Sequence, residues 1–399
     1  MRRLAVLIVV LAGCGVVVPS QTPSGVATHA PTPTESPTAP ASLAPPSAPT
    51  PARTTSTGVT DLSVELHRVE SELTNHIEAF VSLGDEIVWS GGSDPRANEL
   101  YRYVPDAAGP ELLYLNLDRD SSLTSISGGA AGYVFTDERW VGSELRGWNL
   151  WYLAAAEAEP VLLDQSISGD LIAPTIAMDD HWIAWEVVHG RGEERSNELK
   201  VASVNEPLSP TTLLSFTGQD AYLEFPSLWG DELWYGIADT DWVANTEKPR
   251  VEMIDLSEPA EPPVAFGADQ RAFMPAAGRD IVAWKSGRSD GLAALNSGAP
   301  TLYWRATQKV EELPVPAPGG TAERISYPSV GNRFVAWWDD DRARLFVYDL
   351  VERQFRRIVE YEMASDEIVA RPSLSANLLA WLHYSSDGEH DLEWAVLPE

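Results

Sequence analysis

The feature that most constrains this chain is a recurring aromatic side chain at the end of a short apolar run. It closes GDEIVW at Trp89, AGYVF at Phe135, DHWIAW at Trp185, GDELWY at Tyr235, GRDIVAW at Trp284, GNRFVAW at Trp337 and SANLLAW at Trp381. Successive aromatics lie 46, 50, 50, 49, 53 and 44 residues apart. A period of 40 to 50 residues, with several short strands in each unit, is the mark of a propeller blade. A unit of that size cannot bury its own apolar faces, so neighbouring units must stack.

Each unit repeats internally. Pro226, Pro275, Pro328 and Pro372 all stand nine residues before the aromatic, and Pro174 stands two residues further away. The pattern predicts a short inner strand, a tight Gly-Asp or Gly-Asn turn, and then the apolar second strand. A variable polar loop follows, then a third strand (NELYRYV, WNLWYLA, NELKVAS, PRVEMIDL, PTLYWRA, ARLFVYDL and HDLEWAV). Most units add a looser fourth strand, such as ELLYLNL or PVLLDQS. The last unit stops after HDLEWAVLPE with no fourth strand, whereas a spare strand, LSVELHRVE, occupies Leu62 to Glu70. The expectation is an all-β fold: one seven-bladed propeller over residues 61–399, with four-stranded antiparallel blades and the last blade closed by the N-terminal strand. Six or eight blades, an open β-solenoid and two smaller β domains are the competing readings. The recurring aromatic is read as a wedge between blades, each burial contributing roughly 2–3 kcal/mol.

The first sixty residues have another character. Arg2 and Arg3 precede a continuous apolar run from Leu4 to Leu11, and Leu11-Ala12-Gly13-Cys14 follows. A charged start, a short apolar stretch and small residues describe a signal peptide over residues 1–13. The run is short for a permanent membrane helix. L-A-G-C is similar to the bacterial lipobox, which implies cleavage before Cys14 and lipid attachment to its thiol. Cys14 is the only cysteine, so no disulfide is expected within the chain. Residues 19–60 have no aromatic and a proline every few positions. Such a segment cannot bury enough apolar surface to offset ordering, and residues 14–60 read as a lipidated cysteine on a disordered tether. At about 3 Å per residue in polyproline II, forty residues reach on the order of 100 Å. The chain is therefore expected to be anchored outside the cytoplasmic membrane through Cys14.

A formal net charge of −31 argues against nucleic acid, whose phosphates call for clustered Lys and Arg. It argues equally against docking on an anionic lipid surface. An acidic surface keeps a protein soluble, and a monomer is expected.

The repeats, most clearly YPSVGNRFVAWWDDDRARLFVYDL at 327–350, resemble the TolB-like propellers of bacterial cell envelopes. The shared elements are a Pro-Ser start, a Gly-x-x-φ-A-W second strand (φ here an apolar residue), an acidic loop and a φ-Y-D-φ third strand. The resemblance spans residues 61–399 and implies an envelope-located binding or scaffolding propeller. Two features depart from it. TolB itself has six blades and a separate N-terminal α/β domain, and the Ser-Pro-Asp-Gly turn common in its repeats is missing here. A role in a trans-envelope complex is therefore not carried over.

Signals for catalysis are weak. Gly287-Arg288-Ser289-Asp290-Gly291 matches G-x-S-x-G, but a nucleophile elbow needs a strand-to-helix turn in an α/β sheet. The seven histidines show no metal-binding spacing. His383 and His390, flanking Asp387, read as a solvated hairpin. Asp239 with Asp241, and Asp339 to Asp341, do not continue into a calcium loop. No cofactor and no metal are expected. The long, variable loops between second and third strands carry the candidate ligand-face residues Trp140, Trp148, Arg191, Arg195, Trp242 and Arg288. Charges on the connections entering each blade, Asp220, Arg271, Glu323, Arg324 and Asp366, are expected to ring the channel mouth. The reading is a binding or scaffold propeller for a protein or glycan partner. The alternative is a glycan-acting enzyme using carboxylates at the mouth.

Overall fold

The computed structural model describes residues 59–69, 72–74, 76–92, 97–105, 107–118, 120–141, 144–155, 159–167, 172–190, 195–217, 222–238, 249–267, 271–287, 298–313, 325–339, 344–361, 368–384 and 390–399. Two short strands come first, β1 (Thr60–Asp61) and β2 (His67–Arg68), then one 3-10 turn (Glu72–Thr74). Seven antiparallel meanders follow. Blade 1 holds β3 (Ala79–Leu83), β4 (Glu86–Gly91), β5 (Glu99–Tyr103) and β6 (Glu111–Leu115). Blade 2 holds β7 (Ser121–Gly129), β8 (Gly132–Val141), β9 (Glu144–Ala154) and β10 (Val161–Gln165). Blade 3 holds β11 (Thr175–Met178), β12 (Trp182–His189), β13 (Ser196–Ser203) and β14 (Thr211–Thr217). Blade 4 holds β15 (Tyr222–Trp229), β16 (Glu232–Ala238), β17 (Arg250–Asp255) and β18 (Val264–Phe266). Blade 5 holds β19 (Ala272–Ala277), β20 (Ile281–Gly287), β21 (Gly298–Trp304) and β22 (Lys309–Glu312). Blade 6 holds β23 (Ile325–Val330), β24 (Phe334–Asp339), β25 (Arg344–Asp349) and β26 (Gln354–Glu360). Blade 7 holds β27 (Ile368–Ser375), β28 (Leu378–Tyr384) and β29 (His390–Val396), with β2 as its fourth strand.

The fold is a seven-bladed β-propeller. The buried apolar side chains fall into seven clusters, and each is the wedge between two adjacent blades. All seven recurring aromatics are almost fully buried. Period-2 alternation explains their direction. Trp381 packs toward Phe334 and Ala336 of blade 6, whereas its neighbours Ala380 and Leu382 pack toward Trp89 of blade 1. Both faces of a blade are thus interior, so a polar residue on a second strand is not automatically exposed.

The Pro-Ser element has a physical role that the repeat alone did not reveal. The inner strands of adjacent blades do not share a ladder, and serine hydroxyls lace several of them together. Ser227 Oγ accepts the Ala277 N–H at 2.9 Å, Ser329 that of Leu374 at 2.8 Å and Ser373 that of Ser82 at 2.8 Å. Ser127 does the same for Met178 at 3.0 Å. The proline before the serine lies in a register shift of the ladder, between Glu224 and Ser227, Ser326 and Ser329, and Ala370 and Ser373. At such a bulge a residue without an N–H costs no ladder bond. The turn after the inner strand in blades 1 and 4 is a two-residue Gly-Asp hairpin, with Gly84 at φ +61° and Gly230 at φ +58°. That left-handed start suits glycine best.

Ring closure follows the expected route over a shorter span. Only His67 and Arg68 of the predicted Leu62–Glu70 strand form a ladder, pairing with Trp394 and Glu393. Val69 N–H extends it to Leu392 O at 2.9 Å, and Glu70 lies outside the described residues. His67 stacks on Trp394 with ring centroids 4.2 Å apart. The residues before β2 do something else. Leu62 and Val64 pack against the wedge between blades 6 and 7. Thr60 and Asp61 pair in parallel with Arg356 and Arg357, giving blade 6 a fifth strand. Thr60, read as the end of the tether, is therefore the first strand residue. The signal peptide, Cys14 and the tether as far as residue 58 lie outside the described residues. No helix among the described residues is long and apolar enough to cross a membrane.

Candidate functional site at the rim of blade 2

Every second strand runs toward the face where the chain enters each blade. In six blades it stops two to four residues past the recurring aromatic; β8 continues six residues beyond Phe135, to Val141. β9 pairs with it as far as Val141↔Glu144, with one irregularity between Arg139 and Trp140. The stretch TDERWVGSELRG, expected as a loop, is thus almost entirely strand, and only residues 142–143 lie outside the described part. A paired hairpin holds its side chains far more rigidly than a loop of the same length.

At the tip of this arm Trp140 is 46% exposed and Val141 is exposed beside it. Beneath them Glu138 is only 4% exposed. Trp140 Nε1–H donates to Glu138 Oε2 at 2.8 Å, and Thr124 Oγ1 donates to Glu138 Oε1. Thr124 also shares a 2.9 Å hydrogen bond with Thr136. Burial pushes the Glu138 carboxyl up to about 7, against the two hydrogen bonds, and the nearby carboxylates of Glu78 and Asp137 add to the rise. Glu78 is itself raised by burial. Asp137 is buried, with Asn149 Nδ2 at 3.4 Å from Oδ2 and Oδ1 unpartnered among the described residues. Here is a set of acids with little counter-charge, capped by an exposed indole.

The other candidates divide. Trp148 is a correction: it is 2% exposed, lies on β9, stacks on His189 at 6.1 Å and belongs to the wedge between blades 2 and 3. It opens the predicted strand WNLWYLA but was counted with the preceding loop on the ligand face, because the paired arm before it was not recognised. Arg195, just before β13, and Arg271, just before β19 at φ +54°, are half-buried. Arg191, Asp220, Trp242, Arg288, Glu323, Arg324 and Asp366 lie outside the described residues, as do Asp387 and residues 288–291 of the Ser289 motif. Trp140 alone of the ligand-face set is seen exposed on a rigid element. Glu138, Glu78 and Thr124 were not singled out from the sequence; the signal available was the alternation of Thr136, Glu138 and Trp140 along one strand.

His383 is a second correction. It is not solvated but 6% exposed, stacked on Tyr361 at 4.3 Å in the wedge between blades 6 and 7. His390 accepts the Ile77 N–H at 3.1 Å on Nδ1, and burial lowers its pKa.

No protein-family model and no curated protein matches this sequence. Solved structures resemble it in fold. A prolyl endopeptidase superposes with a TM-score of 0.54 at 12% identity, covering 82% of this chain and 51% of its own. The chain thus spans about half of that enzyme's length. The β-propeller domain of the Trilobed protease from Pyrococcus furiosus gives 0.53 at 6% identity, over 80% of this chain and 92% of that one. That domain is described as an open velcro topology, whereas here β2 closes the last blade. YCF48, in a structure bound to D1 peptide, gives 0.50 at 10% identity, over 86% and 98% of the two chains. At these identities the likeness establishes the propeller alone.

Proposed function

We propose that this chain is a lipid-anchored, extracytoplasmic binding or scaffold propeller that engages a partner protein through the face carrying the blade 2 arm. The observation that carries the reading is the exposed Trp140 on a fully paired hairpin, its indole fixed by Glu138. An aromatic held in place before binding loses little side-chain freedom on contact, which is the property of an interface anchor. The lipobox-like segment at Cys14, the Pro/Thr/Ser tether and the TolB-like repeats support an envelope location. A propeller of similar fold, YCF48, has been seen with a bound peptide.

The test is site-specific photocrosslinking in cells, with a photoreactive phenylalanine at 140 or at Leu208. Leu208 is exposed on a turn at the opposite face. A defined adduct from 140 and none from 208 is expected. Equal adducts, or none from 140, refute the assigned face. Fatty-acid labelling of the parent and not of Cys14→Ser tests the anchor.

A second reading is favoured by the Glu138 carboxyl near 7 beside Glu78, since a raised acid next to a second carboxyl is the equipment of a glycosidase. Both Glu138 oxygens are engaged by Thr124 and Trp140, which argues against it. Polysaccharide cleavage by the parent that disappears in Glu138→Gln would make it the better account.

A further inference from the structure

We propose that His383, Asp391 and Glu393 form a site for a divalent transition-metal ion, Zn²⁺ first, in the wedge between blades 6 and 7. Period-2 alternation places Trp381 and His383 on one face of β28, and Asp391 and Glu393 on the same face of β29. The ladder puts His383 opposite Asp391 and Trp381 opposite Glu393. One donor atom from each of the three residues falls within 4.8 Å of the others. His383 Nδ1 and Asp391 Oδ2 are 3.9 Å apart. That separation is too long for a hydrogen bond and just within the reach of two bonds of about 2.0–2.2 Å to one ion, so the three side chains must draw in by a few tenths of an ångström on binding.

The independent observation is the histidine itself. His383 is 6% exposed, yet among the described residues neither ring nitrogen has a hydrogen-bond partner. A buried imidazole with two orphan nitrogens costs free energy unless something binds one of them. Its Nδ1 lies 3.9 Å from Asp391 Oδ2, and Glu393 brings a second carboxylate within 4.8 Å of the ring's donor atom. An imidazole with two carboxylates suits zinc and its neighbours better than calcium, which takes six to eight oxygens.

The surroundings are ordered as a metal's outer shell would be. Glu393 Oε2 accepts Trp381 Nε1–H at 2.9 Å and the Tyr361 hydroxyl, which also accepts Trp381 Nε1–H at 2.8 Å. Tyr361 covers the flat face of His383. Such partners fix ligand orientation. Arg68, on the closing strand, takes the other side. Its guanidinium lies 3.0 Å from Asp391 Oδ1 and 3.4 Å from Glu393 Oε1, leaving Asp391 Oδ2 toward the histidine. The arginine thus offsets part of the negative charge and competes with an ion for it.

The experiment uses the full chain without a histidine tag, stripped by a chelator, dialysed, and titrated calorimetrically with Zn²⁺ alone. One equivalent is expected to bind and to raise the melting temperature. His383→Gln should weaken binding about 100-fold or more, and Tyr361→Phe about 10-fold. Arg68→Gln should bind more tightly than the parent. Cobalt loading of the parent, which requires no variant to fold, should give paramagnetically shifted imidazole signals from a single histidine. Absence of stoichiometric binding overturns the proposal, as does affinity unchanged in His383→Gln. So does loss of binding in His390→Gln with His383→Gln unaffected, which would move the ion to His390 and His76, whose rings lie 6.3 Å apart edge to face.

Discussion

The rim of blade 2 and the closure of blade 7 both place carboxylates out of water, and they treat the charge in opposite ways. At the rim, Glu138 has hydrogen-bond donors but no cation is seen against it, and desolvation pushes its carboxyl up to about 7. At the closure, Asp391 and Glu393 face Arg68, brought from more than 300 residues away by β2. The same residue type is held uncompensated where the molecule meets its surroundings and compensated where the ring is sealed. An uncompensated buried acid destabilises the fold near neutral pH and is retained where it serves a surface; a paired one belongs to the architecture.

The comparison can be broken most forcefully at the closing strand. Deleting residues 59–69 removes Arg68, the His67–Trp394 stack and Val69 from the wedge between blades 7 and 1, and exposes the edge of β29. A loss of about 3 kcal/mol or more, with aggregation, is expected in denaturant unfolding. Deleting residues 15–58 should leave the midpoint where it is. Equal midpoints for the two truncations would mean that β2 does not close the ring.

Next comes the pH dependence of Glu138. Its folded-state pKa is raised from 4.5 to about 7. Below pH 4.5 the acid is protonated in both states, and its favourable contribution relative to an ionised acid is fully present. As pH rises through 7 the unfolded chain ionises first and that contribution is lost, at about 1.4 kcal/mol per pH unit over the interval. Glu138→Gln should abolish this part of the pH profile and stabilise the protein at pH 8 by up to about 3 kcal/mol. An unaltered profile between pH 4.5 and 8 would show that water reaches the acid.

The smallest effect has the opposite sign. Asp391→Asn, measured with chelator present, leaves the guanidinium of Arg68 with one weaker partner. Because Arg68 is 46% exposed, solvent screens the pair, and a loss of about 0.5–1 kcal/mol is expected. A stabilising Asp391→Asn would remove the contrast between the two regions.

How far the sequence discloses this arrangement depends on which residues repeat. The recurring aromatics and the strand alternation around them specify seven wedges, because an apolar side chain every second position must be buried on both blade faces. Closure was legible because the last blade lacks a strand and LSVELHRVE supplies one. The pairing of Thr60 and Asp61 with blade 6 was not, since two polar residues carry no strand pattern. Trp148 was misplaced because an alternating polar stretch reads as a loop when it is a hairpin arm. His383 was read as solvated for the same reason, and Asp391 and Glu393, inside the predicted strand HDLEWAV, were not singled out. On an isolated sheet, polar residues at every second position face water, but a propeller blade has no such face except at its rims and outer edge. Position in the ring, which no single repeat encodes, decides whether a carboxylate is wet.

The double attachment of the N-terminal segment has a mechanical consequence. A pull on the chain before Val59 does not reach β2 first. It is met at β1, where Asp61 is clamped by the buried guanidinium of Arg357 at 2.7 Å and Leu62 N–H holds Arg357 O at 2.9 Å. β1 runs parallel to β26, and the Asp61–Arg357 contact must give way before tension is passed along Leu62 to Val64 toward the closing strand. Blade 6 therefore serves as a strain relief for blade 7, so that tension arriving from the N-terminal side loads the outside of the ring and not its seam.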